Sequence, residues 1–248
     1  MTPAEVLDVL RATAHEVRIA LGRVTDWGPS GVRDSQYAAD LVADAVALSV
    51  LDRHGLNVLS EESGLTSRGH DITVIVDPLD GSTNASRGVP HFATSLLAVD
   101  AQGPVAALVA HQAADTTWWA IRDVGAFRDG RRLSPPIART WDKAVVAVSG
   151  PPPEAPGWAQ YRAFGASAID LCLVADGTVD AFIDMSPSVH GVWDYGAAAM
   201  ICREVGVNVV DAQGRELIEL DHMARRTPIA ASPANIDSAV AVRRQRPL

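Results

Sequence analysis

The run Ile75-Val76-Asp77-Pro78-Leu79-Asp80-Gly81-Ser82-Thr83-Asn84 concentrates more chemistry than any other segment of the chain. An apolar strand leads to Asp77, and Pro78, with no N–H to donate, is expected to stop the strand there. Asp80 follows a turn later, Gly81 allows the backbone to approach a ligand closely, and Ser82, Thr83 and Asn84 are residue types that open helices. Two carboxylates brought together repel unless a cation neutralises them. Carboxylate and carbonyl oxygens favour a hard divalent ion, Mg²⁺, Mn²⁺ or Ca²⁺, over zinc. The free N–H groups after Gly81 would face an anion, most naturally a phosphate. Two further acidic clusters suit the same centre: Glu61-Glu62 in Leu59-Ser60-Glu61-Glu62-Ser63-Gly64, and Asp194 in His190-Gly191-Val192-Trp193-Asp194-Tyr195-Gly196. Alone, Asp194 reads equally as a helix N-cap, the glutamates as a solvated turn and Asp77–Asp80 as a plain turn. The coincidence of the three makes the case for metal-assisted phosphate chemistry.

Other site types fail on spacing. An EF-hand loop counted from Asp77 would need oxygen ligands where Leu79 and Gly81 stand, glycine at Ser82 and glutamate at Gly88. No Walker A sequence exists, and Lys143 is the only lysine. Ser149-Gly150 runs into Pro151-Pro152-Pro153 and reads as a strand end, not a nucleophile elbow. His91 and His190 lie near the motifs but read as loop or supporting residues, because a hard-cation site prefers oxygen.

The elements that must position these residues are legible in outline. Thr2-Pro3-Ala4-Glu5 is a capping box, followed by one apolar face of Val6, Leu10, Ala14, Val17, Leu21 and Val24. Trp27-Gly28-Pro29-Ser30-Gly31 breaks that helix. A second helix is expected from about Asp34 to His54, with Leu41, Ala45 and Leu48 inward and Gly55 as its stop. Strands are expected at 56–59, 72–76, 95–99, 105–110, 116–121, 125–128 and 131–133, the last two joined by Asp129-Gly130. Trp118-Trp119 reads as a strand straddling core and interface. Strand, helix and strand then alternate: 144–148, 166–176, 179–183, 194–205, 207–210, 228–231 and 234–242. Two helices, a largely antiparallel sheet and a βα half imply an α+β protein, with subdomains 1–140 and 141–248.

Composition removes whole classes of function. The chain has 248 residues and a formal net charge of −9, with no basic block, which argues against a nucleic-acid partner. No stretch approaches the roughly 18 apolar residues of a membrane span. The N-terminus carries Glu5 and Asp8 and lacks the apolar core of a signal peptide, so a cytoplasmic protein is expected. Cys172 and Cys202, each in an apolar stretch, read as buried free thiols in a reducing compartment.

Glu61-Glu62, the run from Asp77 to Asn84 and Trp193-Asp194 with its Gly/Ala-rich helix resemble the three signatures of the inositol monophosphatase family, within the lithium-sensitive, Mg²⁺-dependent phosphatases. Arg162-Ala163-Phe164-Gly165-Ala166-Ser167-Ala168-Ile169-Asp170-Leu171-Cys172 is similar to the family's substrate-side turn and helix. The resemblance implies a layered αβαβα sandwich and hydrolysis of a small phosphomonoester, inositol monophosphate first. Histidinol phosphate, a sugar phosphate or a 3′-phosphoadenosine nucleotide remain open, as does a catalytically idle metal- or phosphate-binding protein. It also implies two to three Mg²⁺ ions, with Mn²⁺ as a substitute, and a homodimer. Carried over by position, Glu61, Asp77, the Leu79 carbonyl, Asp80 and Asp194 would hold the metals, with Asp77 bridging. Glu61 and Ser82 would position the attacking water. Gly81, Ser82 and Thr83 would take the phosphate, and Ser167 and Asp184 would lie near the alcohol. Asp40 stands where the family has an aspartate behind the ligands. Three departures are visible: Tyr37 replaces the usual Thr, Arg33 is the nearest counterpart of a customary lysine, and the stretch from Asp184 to Trp193 looks longer than usual.

Overall fold

The structure, a computed structural model, describes residues 1–33 and 36–246. Helix α1 (Pro3–Leu21) begins with the capping box, the Thr2 N–H donating to Glu5 Oε2 at 2.7 Å and the Glu5 N–H to Thr2 Oγ1 at 3.3 Å. Helix α2 (Ala38–Asp52) starts later than expected; Asp34 itself lies outside the described residues. Its inward face also differs. Ala39, Ala43 and Ala47 are fully buried, Ala45 is exposed, Leu48 is half-buried and Leu41 is 38% exposed. Small residues four apart let α2 lie close to α1 and the sheet, and the same face carries Asp40 and Asp44 inward; larger leucines cannot occupy so narrow a contact.

Eight strands follow as one sheet: β1 (Asn57–Ser60), β2 (Gly64–Thr66), β3 (Thr73–Asp80), β4 (Ala93–Asp100), β5 (Gly103–His111), β6 (Thr116–Ile121), β7 (Gly125–Arg128) and β8 (Arg131–Arg132). Their order is β2-β1-β3-β4-β5-β6-β7-β8; β1 and β3 are parallel and the other pairs antiparallel. The three-residue β2 carries no apolar run and gave no sequence signal. Strand β3 does not end at Pro78. It resumes pairing at Asp80 after an irregularity between Asp77 and Asp80, because the chain bulges where proline cannot donate. The short helix α3 (Ser82–Ser86) springs directly from that bulge.

The second sheet has five strands: β9 (Val145–Ser149), β10 (Gln160–Arg162), β11 (Ala181–Asp184), β12 (Asn208–Asp211) and β13 (Pro228–Ala231), in the order β10-β9-β11-β13-β12. Exposed β10 is the other strand that the sequence pattern did not announce. Helices α4 (Ser167–Ala175), α5 (Val192–Glu204) and α6 (Ile236–Arg243) complete the chain.

Five layers result. Helices α1 and α2 cover one face of the eight-stranded sheet, α4 and α5 lie between the two sheets, and α6 packs on the far face of the second sheet. Each interlayer space is a separate apolar cluster, which is the αβαβα sandwich expected. Cys172 and Cys202 are free and buried in the central layer, where burial pushes both thiols well above their ordinary range. Trp118 is buried with Nε1 donating to Asp176 Oδ2 at 3.0 Å, whereas Trp119 stacks on Phe127 at 4.0 Å. No helix among the described residues is long and apolar enough to cross a membrane.

Candidate metal and phosphate site

The parallel pairing of β1 with β3 places the first two acidic segments side by side. Ser60 is in register with Val76 and the Glu61 N–H donates to the Val76 carbonyl at 3.0 Å, so Glu61 follows the end of β1 beside Asp77, where β3 begins its bulge. At the bulge the Leu79 N–H donates to Asp77 Oδ1 at 3.0 Å, and Thr94 Oγ1 donates to the Pro78 carbonyl at 3.0 Å. The buried Leu79 side chain packs under α1 and α2 and anchors the backbone between the two aspartates.

Helices of the middle layer bring the rest. The Ala168 N–H, in the first turn of α4, donates to Asp80 Oδ2 at 2.8 Å. In the first turn of α5, Asp194 Oδ2 accepts the Gly191 N–H at 2.7 Å, and Ser95 Oγ donates to the Trp193 carbonyl at 2.9 Å, tying that turn to β4. Asp77, Asp80 and Asp194 each offer a carboxylate oxygen within 4.8 Å of the others. Burial raises Glu61, Asp77, Asp80 and Asp194 above the ordinary carboxyl range; repulsion from neighbouring acids of the cluster adds to the rise for the first three, whereas His190 and Arg225 partly offset it for Asp194.

Gly81 has φ +83°, and a β-carbon there would stand 3.0 Å from Ala166 Cβ and from the His91 carbonyl. Glycine is therefore required by the chain's own packing, beyond any approach of a ligand. Ser82 follows as the first residue of α3. Asp40 is buried behind it, and its carboxyl is raised to about 7 by burial, opposed by hydrogen bonds from the Tyr37 N–H and the Ser82 side chain. The Tyr37 hydroxyl donates to Thr83 Oγ1 at 3.3 Å, so Tyr37 ties the start of α2 to α3. Arg33 and Gln36 both hold Glu62, leaving Glu61 as the member of the pair that faces the acidic cluster. Ser167 is the first residue of α4 and Asp184 the last of β11.

The family model described as Inositol monophosphatase family matches residues 9–247. The chain belongs to the inositol monophosphatase family. It is 31% identical over 227 residues to a fructose-1,6-bisphosphatase/inositol-1-monophosphatase of Archaeoglobus fulgidus, covering 88% of each chain. It is 30% identical over 230 residues to the Nus factor SuhB of Escherichia coli, covering 85% of this chain and 83% of that one. A hypothetical protein from Pyrococcus horikoshii, with similarities for inositol-1 monophosphatase, superposes with a TM-score of 0.84 over 96% of both chains, at 24% identity.

In this inositol monophosphatase family member the acidic cluster fits a hard cation on its own evidence. Asp77 Oδ2 is buried with no hydrogen-bond partner among the described residues, an arrangement costly for a carboxylate unless a cation serves it. The donor set is all oxygen, which suits Mg²⁺ or Mn²⁺. Sequence reasoning missed His222, whose Nε2 lies 3.0 Å from the Glu61 carbonyl and whose ring lies 4.8 Å from that of Trp193. It also missed the His91–Asp170 pair, 2.9 Å apart, which joins the loop after α3 to α4. Their partners are 161 and 79 residues away, a separation no local pattern reports. His190 is deeply buried, with more to do than a loop histidine.

Proposed function

We propose that the chain is a Mg²⁺-dependent phosphomonoesterase of small polyol phosphates, with inositol monophosphate the leading substrate. The convergence of Asp77, Asp80 and Asp194 oxygens around the unpartnered Asp77 Oδ2, with Glu61 beside them, carries this reading. The relatives' names add support, since they include inositol-1-monophosphatase and fructose-1,6-bisphosphatase. Glu61, Asp77, Asp80, Ser82 and Asp194 are all present, whereas a degenerate, catalytically idle site usually loses one or more of its set.

In this reading Glu61, Asp77, the Leu79 carbonyl, Asp80 and Asp194 hold two to three Mg²⁺ ions, or Mn²⁺ in their place. When bound, the ions supply positive charge that acidifies water and stabilises the leaving alkoxide of an in-line displacement. Glu61 and Ser82 orient the attacking water. Asp40, behind Ser82, receives hydrogen bonding from its side chain and fixes its direction. Gly81, Ser82 and Thr83 present N–H and hydroxyl groups to the phosphate oxygens. Ser167 and Asp184 belong to the alcohol side. The protein works as a homodimer on a diffusible ester in the cytoplasm, without nucleic acid.

Phosphate release from inositol 1-phosphate, fructose 1,6-bisphosphate, histidinol phosphate and 3′-phosphoadenosine 5′-phosphate, with and without Mg²⁺, tests this. Metal-dependent release is expected, fastest from inositol 1-phosphate. Asp80→Asn should lower turnover about a thousandfold or more, with circular dichroism unchanged, because it removes a charge serving the transition state. No release from any ester, or full activity in that variant, would overturn the reading.

A further inference from the structure

Behind Ser167 runs a hydrogen-bonded chain that the acidic site does not use. Ser167 Oγ lies 2.8 Å from His190 Nε2, and His190 Nδ1 lies 2.9 Å from Asp184 Oδ2. The other Asp184 oxygen accepts the Ser186 N–H at 2.8 Å. Asp184 is 0% exposed with both oxygens engaged, so its carboxylate does not itself reach a ligand. His190 is 8% exposed and Ser167 7%. The histidine's backbone is clamped as well, its carbonyl accepting the Arg226 N–H at 2.9 Å. Ser167 is the open end of the chain, and it adjoins Ala168, whose N–H holds Asp80.

We propose that His190 is a positioning residue: anchored by Asp184, it sets the direction of the Ser167 hydroxyl, which reads a substrate hydroxyl beside the scissile ester. The inference rests on the phosphatase reading above. A serine hydroxyl has one hydrogen to give and two lone pairs. The imidazole takes one of these and leaves the others to the substrate. Burial opposes the charged ring, but the hydrogen bond to Asp184 and the nearby Asp194, Asp184 and Asp80 outweigh it and raise His190 to about 9. Held at Nδ1 by Asp184, the ring presents Nε2 to Ser167, and the hydroxyl keeps its remaining hydrogen-bonding capacity for a substrate oxygen.

The test compares inositol 1-phosphate, whose ester is flanked by hydroxyls, with p-nitrophenyl phosphate, which has none. His190→Ala should lower the ratio of kcat/KM for the first over the second about tenfold, mainly through KM, on the scale of one hydrogen bond to an oriented group. In a Ser167→Ala background it should add nothing further, and His190→Gln, which keeps a donor near Ser167, should restore part of the ratio. Asp184→Asn, which removes only the anchor's charge, serves in the same comparison if His190→Ala does not fold. Equal losses on both esters, additive losses in the double variant, or a phosphoserine at Ser167 during turnover would each overturn the proposal. Wild-type protein inert on both esters would overturn the phosphatase reading and this inference with it.

Discussion

At Gly81 the backbone turns through φ +83° while its neighbours close to 3.0 Å around the missing β-carbon. Both constraints act together, because the residue joins the β3 bulge to α3 while the turn before α4 presses against it. Gly81→Ala is therefore expected to destabilise the fold by about 1–3 kcal/mol, read as a lower urea midpoint at unchanged m-value. Activity should fall too, since Ser82 and Asp80 flank the displaced backbone. The site's other single residues divide similarly between holding and presenting. Glu62 is spent on Arg33 and Gln36, whereas Glu61 is free to face the aspartates. Residue type could not have separated these two glutamates; the resemblance pointed to Glu61 by position, and Arg33 and Gln36 give the physical reason by engaging Glu62.

Among the helices, α2 is the one whose inward face needed correction. The leucines suggested an inward face, yet alanines at 39, 43 and 47 make it, because the helix must approach α1 and β3 closely enough for Asp40 to stand behind Ser82. Ala43→Leu would force additional apolar carbons beyond Cβ into a closed contact, and overpacking of that kind costs about 1–3 kcal/mol. The expected outcome is a lower melting temperature together with lower kcat. Leu41→Ala, on the exposed side, should change neither measurably. The register of β1 on β3 and the first turns of α4 and α5 place the remaining acids. Capping chemistry announced Asp194 at a helix start, but its reach to Asp77 and Asp80 is a product of helix placement.

For the molecule as a whole, the acidic cluster links stability to both pH and metal. An acid whose carboxyl is raised in the folded state favours folding relative to higher pH only while protonated. For Asp40, raised to about 7, that stability is complete below its unfolded value near 4 and is lost as pH rises through about 7. His190, raised to about 9, contributes stability that is present below about 6.5 and lost as pH rises through about 9. Metal-free protein should therefore melt at a lower temperature at pH 8.5 than at pH 5.5. Millimolar Mg²⁺ should raise the melting temperature, and more so at the higher pH, because the ion binds the ionised carboxylates of the native state. Scanning calorimetry in chelator and in Mg²⁺ checks both signs.

The sequence by itself determined the α+β class, most strand positions and the identity of the acids, since hydrophobic period, caps and turn residues are local properties, while the layering was expected only from the family resemblance. Asp77, Asp80 and Gly81 were legible because one short segment holds them all. Tertiary structure alone decided what engages Glu62, which side of α2 is buried, and that Asp184 reaches Ser167 only through His190. Those outcomes depend on partners brought from distant parts of the chain, and packing and charge pairing between layers have no signature in any single window of residues.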